Sequence, residues 1–263
     1  MKLAIKSKKG QEEGGGFSTA IGLVILVVAV IIIVPLIQRQ TAFASDLSEA
    51  TACYTSIVGI PGASGETGAK CPIRDYVVYN NRVTETKDGK TSDSDIVKYF
   101  SADENKVYEL FAKLIGSCLQ KGGGVNSNAF SRSSLGSTVC LECSNIKFDN
   151  NVAKVSFNGL REYLENNKMP GKDKKYVDVF TKDEAHKEDW INYGQQKDRE
   201  LIPGKYGYPI EKNNIYTIFF IGIKEGRVPA IALNLRLIGR EDTYFVYAAT
   251  QENFNKICDR KVN

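Results

Sequence analysis

The sequence predicts an α+β protein in which an N-terminal transmembrane helix is followed by a mostly antiparallel sheet packed with several helices. Three observations support this prediction: a single uncharged apolar run, strand and helix patterns without sustained βαβ alternation, and six cysteines that all follow the apolar run. We divide the chain into a cytoplasmic basic tip (1–16), a transmembrane helix (17–37), a linker with a short helix (38–72) and an extracytoplasmic α+β domain (73–263).

The apolar run at residues 17–37 reads FSTAIGLVILVVAVIIIVPLI and contains no charged residue. A helix of this length spans about 30 Å, which matches the hydrocarbon core of a bilayer. Four lysines precede the run and Arg39 follows it, so the positive-inside rule places the N-terminus in the cytoplasm and residues 40–263 outside. A retained signal anchor is favoured over cleavage after Ala42-Phe43-Ala44, because the run is longer than a signal peptide usually has.

The basic tip ends in Lys8-Lys9-Gly10-Gln11, which a polar link joins to the apolar helix. This arrangement resembles the class III signal sequences of archaeal pilin-like proteins, and it implies cleavage by a prepilin peptidase between Gly10 and Gln11. The sequence departs from that pattern at Gly15, where those proteins usually carry a glutamate. More broadly, the tip, the single helix and a Cys-x-x-Cys strand followed by Ile-x-Phe resemble uncharacterised membrane-anchored exoproteins of small-genome archaea, a likeness that implies no activity.

The first elements after the membrane helix are short. We expect a helix from Ser45 to Tyr54, and the stretch from Gly59 to Cys71 is rich in Gly and Pro, which is typical of a loop. The alternation in Ile73–Tyr79 predicts a strand, and Asn80–Asp95 is expected to be a polar connection with a turn at Asp88-Gly89.

The middle of the domain contains the clearest helix. The pair Ser101 and Glu104 has the spacing of a capping box, and Gly122-Gly123-Gly124 is expected to end the helix. Its apolar residues recur at spacings of three and four and predict a face in the core. They are Val107, Leu110, Phe111, Leu114, Ile115 and Cys118. Next come a predicted strand, Ser137–Phe148, and two short amphipathic helices, around Gly159–Asn167 and Lys174–Lys182.

The C-terminal part begins with a polar stretch, Asp183–Pro209, that contains the only histidine and the only tryptophan. Three β-branched and aromatic runs follow, Ile215–Ile223, Ala230–Ile238 and Thr243–Ala249. Their short links predict an antiparallel meander. Thr250 is placed to cap a final helix.

The cysteines are the strongest site candidates. An even number of cysteines outside the membrane predicts up to three disulfides. The disulfide candidates are Cys53, Cys71, Cys118, Cys140, Cys143 and Cys258. Proximity pairs Cys53 with Cys71, and the other four are expected to tie the first clear helix and the last helix to the strand that contains Cys140, in a connectivity that the sequence leaves open.

Two alternatives to disulfides start from Cys140-Leu-Glu-Cys143. One is a thioredoxin-type redox pair, which requires a helix N-terminus at the first cysteine, whereas the following residues favour a strand. The other is a zinc cluster with Cys118 and Cys258, which lacks the second close pair that zinc sites use. His186 lies among acidic residues, and we expect it to be a polar residue on a solvated segment rather than a general base.

Charge and missing motifs limit the function. The chain has 35 basic and 31 acidic residues, and after residue 45 the two signs nearly balance, so no basic stripe for nucleic acid is expected. No catalytic or phosphate-binding motif is present, and we expect no cofactor, no metal and no enzymatic activity.

The sequence therefore predicts a membrane-anchored extracytoplasmic protein that binds or scaffolds. The alternative is a pilin-like subunit of a surface filament or secretion apparatus, processed between Gly10 and Gln11, and an extracytoplasmic hydrolase ranks behind both. The expected partners are the lipid bilayer, through residues 17–37, and a protein partner or a second copy of the chain at the cell surface.

Overall fold

The structure is a computed structural model that describes residues 48–58, 71–94, 96–97, 99–125, 127, 138–194, 209–223 and 243–262. The chain divides into two compact units, Met1–Leu47 and Ser48–Asn263, and every described residue belongs to the second unit. The predicted basic tip and transmembrane helix lie outside the described residues. None of the described helices combines the length and the hydropathy that a membrane span requires.

The helices and strands are numbered in chain order. The described helices are α1 (48–58), α2 (Glu104–Lys121), α3 (Leu160–Asn166), α4 (Tyr176–Phe180), α5 (Glu184–Gly194) and α6 (Gln251–Ile257). The described strands are β1 (Arg74–Val78), β2 (Val83–Lys87), β3 (Lys90–Asp93), β4 (Val139–Phe148), β5 (Ser156–Phe157), β6 (Ile210–Glu211), β7 (Tyr216–Ile223), β8 (Thr243–Thr250) and β9 (Arg260–Val262).

The main sheet has seven strands in the order β3-β2-β1-β4-β7-β8, with β9 beside β4, and β5 and β6 form a separate pair. The pairings β1–β4 and β4–β9 are parallel, and the other pairings in the main sheet are antiparallel. The predicted α+β class is confirmed, and the sheet is mixed.

Helices lie on both faces of the sheet. Neighbouring residues of a strand point to opposite sides, and large apolar side chains point to each side. In β7, Phe220 lies against the C-terminal end of α2 at Gly122, whereas Phe219 packs on Phe254 of α6 with ring centroids 4.9 Å apart. The predicted apolar stripe of α2 is buried throughout. We call the two sides of the sheet the α2 face and the α6 face.

The polar connection predicted at Asn80–Asp95 is wrong, because this segment forms β2 and β3. Their hairpin turns at Asp88-Gly89, as predicted, and both residues have positive φ angles, 50° and 75°, as a two-residue turn of type I′ requires. The charged side chains of this hairpin hide its strand character, since β3 is exposed along its whole length.

The predicted C-terminal meander is also wrong. β7 pairs directly with β8, from Tyr216 opposite Thr250 to Ile223 opposite Thr243, so no third strand separates them. The predicted middle strand, Ala230–Ile238, lies outside the described residues.

Three further elements differ from the predictions. The N-cap of α2 is Asp103, whose carboxylate accepts the Lys106 N–H, whereas Ser101 donates to Asp103 from outside the helix. The polar stretch after Asp183 contains α5, and Trp190 of that helix is only 1% exposed. Strand β9, near the C-terminus, was not predicted, because three residues are too few for a periodic pattern.

Candidate functional site

Strand β4 carries two of the three disulfides. Cys140 bonds to Cys258, which follows α6, and Cys143 bonds to Cys118 of α2. The two cysteines of the Cys-x-x-Cys motif therefore point to opposite faces of the sheet. A β-bulge between Glu142 and Ser144 lies at this position. The prediction that the first clear helix and the last helix are tied to this strand is confirmed.

The third disulfide joins Cys53 of α1 to Cys71, directly before β1, as proximity predicted. All six cysteines are buried and paired, and the chain has no free cysteine. Since a disulfide sulfur has no thiolate to offer, the alternatives of a zinc cluster and a Cys140–Cys143 redox pair disagree with this structure. In the part of the chain that the structure describes, no group of three His, Cys, Asp or Glu side chains is placed to hold a metal ion.

A charged cluster holds α1 against the sheet. The carboxylate of Glu49 in α1 accepts hydrogen bonds of 2.6 Å from Arg74 and Lys87, and its other oxygen lies 3.2 Å from the Lys121 ammonium. Arg74 also pairs with Glu85 at 3.1 Å. These partners come from the start of β1, the end of β2 and the end of α2, so the chain enters the domain at this end of the sheet.

The cluster changes the acidity of its members. Burial alone would raise the pKa of Glu49, but the hydrogen bonds from Arg74 and Lys87 and the charge of Lys121 outweigh it and lower the pKa to about 2. Burial lowers the pKa of Lys121, and Glu49 opposes that shift. The half-buried carboxylate therefore stays ionised, because a nearby positive charge favours the charged form of an acid.

Close packing adds to the attachment of α1. Ala50, Cys53 and Ile57 are buried. The ring of Tyr54 lies where a side chain on Gly123 would be, so the glycine turn after α2 leaves room for α1. Gly123 has a φ angle of 88°, which favours glycine for a second reason. Helix α1 is thus part of the domain.

The opposite end of the sheet carries a surface with one exposed and one half-buried tyrosine. It lies at the carboxyl ends of the parallel strands β1 and β4, where the Asp149 N–H donates to the Val78 carbonyl at 2.8 Å. The Arg82 guanidinium lies 5.0 Å from the centroid of the Tyr79 ring. Tyr99 is 95% exposed and has a positive φ angle of 51°, which is rare for a bulky residue.

The loops of this end are fixed to one another. The Ala102 N–H donates to the Asn80 carbonyl at 2.8 Å, and the Asn80 side chain bridges to Asn151 and Ala153. Since three residues span at most about 11 Å, the backbone of Tyr99 lies within about 14 Å of the Asn80 carbonyl. We call Tyr79, Asn81, Arg82 and Tyr99 the far-end surface. It could not be predicted from the sequence, because a tertiary hydrogen bond between Ala102 and Asn80 relates the loop of Tyr99 to the β1–β2 turn.

One open groove lies beside α4, with a volume of about 520 Å³. Its lining has four lysines and four acidic residues, so it favours neither cations nor anions. His186 lies next to this groove and contacts Asp183 twice. The Asp183 carboxylate accepts the His186 backbone N–H at 2.8 Å, and the ring Nδ1 lies 3.3 Å from the same carboxylate oxygen. Asp183 thus caps α5, and we assign the groove no role.

The predicted processing residues Gly10 and Gln11 lie outside the described residues, as does the candidate cleavage site at Ala42-Phe43-Ala44. Comparison of the chain with models of known protein families, with curated proteins and with solved structures found no match.

Proposed function

We propose that the chain is a single-pass membrane-anchored protein whose disulfide-bonded α+β domain lies outside the membrane and binds or scaffolds rather than catalyses. The observation that carries the proposal is the pairing of all six cysteines inside one domain. Disulfides form and persist in oxidising compartments and are rare in the cytosol. The uncharged run at residues 17–37, with lysines before it, supports an anchor with this orientation.

The attachment of α1 supports a role in presenting a surface. The chain enters the domain at the Glu49 cluster, and the far-end surface lies at the other end of the sheet. Tyrosine and arginine are enriched among the residues that dominate protein–protein binding. A nearly fully exposed tyrosine at the same end of the sheet as a tyrosine–arginine pair is therefore a suitable contact surface for a partner at the cell surface.

The topology is tested with the full chain carrying a C-terminal epitope tag. We expect the tag in the membrane fraction, accessible to protease added to intact cells. A tag that is soluble in the cytoplasm, or protected from the protease, would refute the proposal.

The N-terminus of the mature protein separates the anchor from its alternatives. A start at Met1 supports a retained anchor, and a start at Gln11 supports the pilin-like alternative with prepilin processing. A start at Ser45 would mean that the protein is secreted, and the anchor would have to be given up.

Binding at the far-end surface is tested by placing a photo-crosslinking amino acid at position 99 of the full chain in cells. The matched control places it at Lys90, which is exposed and pairs with Lys87 at the Glu49 end of the sheet. We expect an adduct of one defined mass from position 99 only, removed by Arg82→Ala. Equal adducts from both positions, or none from either, would contradict binding at this surface.

A further inference from the structure

Two of the disulfides interleave along the chain. Cys118 pairs with Cys143, and Cys140, which lies between them in sequence, pairs with Cys258. Pairing in the order of synthesis would join Cys118 to Cys140 instead. The native connectivity therefore requires Cys118 to pass over the first cysteine of the motif and bond to the second.

Loop lengths do not explain this choice. The Cys118–Cys143 bond spans 25 residues, and Cys140 is three residues nearer to Cys118. Since the probability of loop closure falls with about the 3/2 power of loop length, the two closures differ by only about 1.2-fold in an unfolded chain. The Cys140–Cys258 bond spans 118 residues, so its closure is roughly tenfold less probable.

Strand β4 does distinguish the two cysteines. Once it is paired with β7, Cys143 is on the α2 face beside Cys118, and Cys140 is on the α6 face beside Cys258. A bond from Cys118 to Cys140 would have to pass through the sheet. Cys118 can therefore distinguish Cys143 from Cys140 only after the strand has formed. Before that, it bonds to either cysteine with nearly equal probability.

We propose that Cys140-Leu-Glu-Cys143 acts as an intramolecular disulfide-exchange pair while the domain folds. In a chain with a Cys118–Cys140 bond, the Cys143 thiolate attacks the Cys118 sulfur. The Cys118–Cys143 bond forms, the Cys118–Cys140 bond breaks, and its electron pair leaves on the Cys140 thiolate. This exchange involves no net oxidation.

The freed cysteine completes the connectivity. Cys140 and Cys258 lose two electrons and two protons to an external disulfide oxidant, which is reduced to two thiols. An early Cys140–Cys143 bond is resolved by the same chemistry, because the Cys118 thiolate attacks the Cys143 sulfur and again releases Cys140. In the folded domain both members of the motif are buried and bonded, so the exchange ends when the sheet closes.

The test begins with the reduced, denatured full chain in detergent, which is oxidised with glutathione disulfide. Samples are quenched with acid, and their disulfides are mapped by mass spectrometry. We expect Cys118–Cys140 and Cys118–Cys143 at early times within about twofold of each other, and Cys140–Cys258 last. A Cys118–Cys140 species that never exceeds a few per cent of the chains would overturn the proposal.

The decisive step uses that isolated Cys118–Cys140 species, returned to alkaline pH without added thiol. We expect it to convert to Cys118–Cys143, whereas conversion only after addition of glutathione would show that the exchange is not intramolecular. Cys143→Ser should accumulate Cys118–Cys140 and leave Cys258 reduced. The matched control, Cys53→Ser with Cys71→Ser, should convert at the parental rate, and an equal slowing in this control would count against the exchange pair. If Cys143→Ser does not fold, the conversion of the parental species still decides the question.

Discussion

The disulfide between Cys140 and Cys258 should contribute more to the stability of the domain than either of the other two disulfides. It closes a loop of 118 residues, whereas Cys53–Cys71 closes one of 18. The chain-entropy relation gives about 4.9 kcal/mol for the longer loop and about 3.2 kcal/mol for the shorter one, and measured values typically lie at about 2–4 kcal/mol. Because 1 kcal/mol shifts the melting temperature of a domain of this size by about 2–4 °C, Cys258→Ser should lower it by roughly 10 °C.

Removal of this disulfide should loosen α6 and β9 before the whole domain unfolds. Helix α6 keeps its N-cap, where Thr250 accepts the Asn253 N–H, and Phe254 keeps its contact with Phe219. We therefore expect amide exchange to accelerate first in α6 and β9, while α2 stays protected. Thermal unfolding under non-reducing conditions, followed by circular dichroism, measures the effect.

A companion variant controls for the free thiol that the substitution leaves. Cys140→Ala with Cys258→Ala should melt within about 2 °C of Cys258→Ser and below Cys53→Ala with Cys71→Ala, since the difference in loop length is worth about 1.7 kcal/mol. If Cys258→Ser melted like the parent, or if removal of the short loop cost more, the entropic argument would be refuted.

Three further predictions concern single side chains. Glu49→Gln should lower the free energy of unfolding by about 3 kcal/mol at pH 7, because three cations lose their shared carboxylate. The folded-state pKa of Glu49, about 2, lies below its ordinary 4.5, so its contribution is complete above pH 4.5 and is lost as the pH falls toward 2; urea titrations of parent and variant should converge over that interval. Gly123→Ala should lower the free energy of unfolding by about 2 kcal/mol or more, because its methyl group would overlap the Tyr54 ring. Gly124→Ala has open space and should lower it by only about 1 kcal/mol, for its positive φ angle. Chemical denaturation of the two variants measures the difference. His186→Ala should leave the melting temperature within about 2 °C, whereas Asp183→Ala should lower it further by removing the cap of α5, and equal effects would contradict the capping role.

The elements that the sequence predicts well are those with a local signal. The stripe of α2 and its triglycine end, the Asp88-Gly89 turn and the apolar strand β7 each have periodicity or turn residues within about ten positions. Helix α5 has no such signal, because charged and polar residues fill its first turns and Trp190 is a lone large apolar residue among them. Its anchor is a tertiary contact: the Trp190 indole N–H donates to the Val246 carbonyl at 2.9 Å, and the Tyr247 hydroxyl donates to the Trp190 carbonyl at 2.9 Å.

The Glu49 cluster and the far-end surface could not be predicted for the same reason. The members of each come from separate elements: the Glu49 cluster from α1, the β1–β2 hairpin and the end of α2, and the far-end surface from the β1–β2 turn and the loop that is hydrogen-bonded to it through Ala102. Nothing in the spacing of Glu49, Arg74 and Lys121 indicates that they meet. A half-buried carboxylate with three cations is recognisable only once the sheet order is known.

The cysteine pairing could be predicted in part. It depends on loop length and also on whether an odd or an even number of positions separates two cysteines on the same strand. Side chains three apart on a regular strand point to opposite faces, so the strand predicted at Ser137–Phe148 already implies that Cys140 and Cys143 cannot share a bond or a metal ion. Each then needs a partner from a different helix layer. What the sequence leaves open is which layer each one faces, because this depends on the register of β4 against β7 and on the bulge between Glu142 and Ser144. The register that settles the connectivity is absent from the unfolded chain, and this is why Cys118 is expected to bond first to Cys140 in a large share of the chains, which must afterwards exchange that bond.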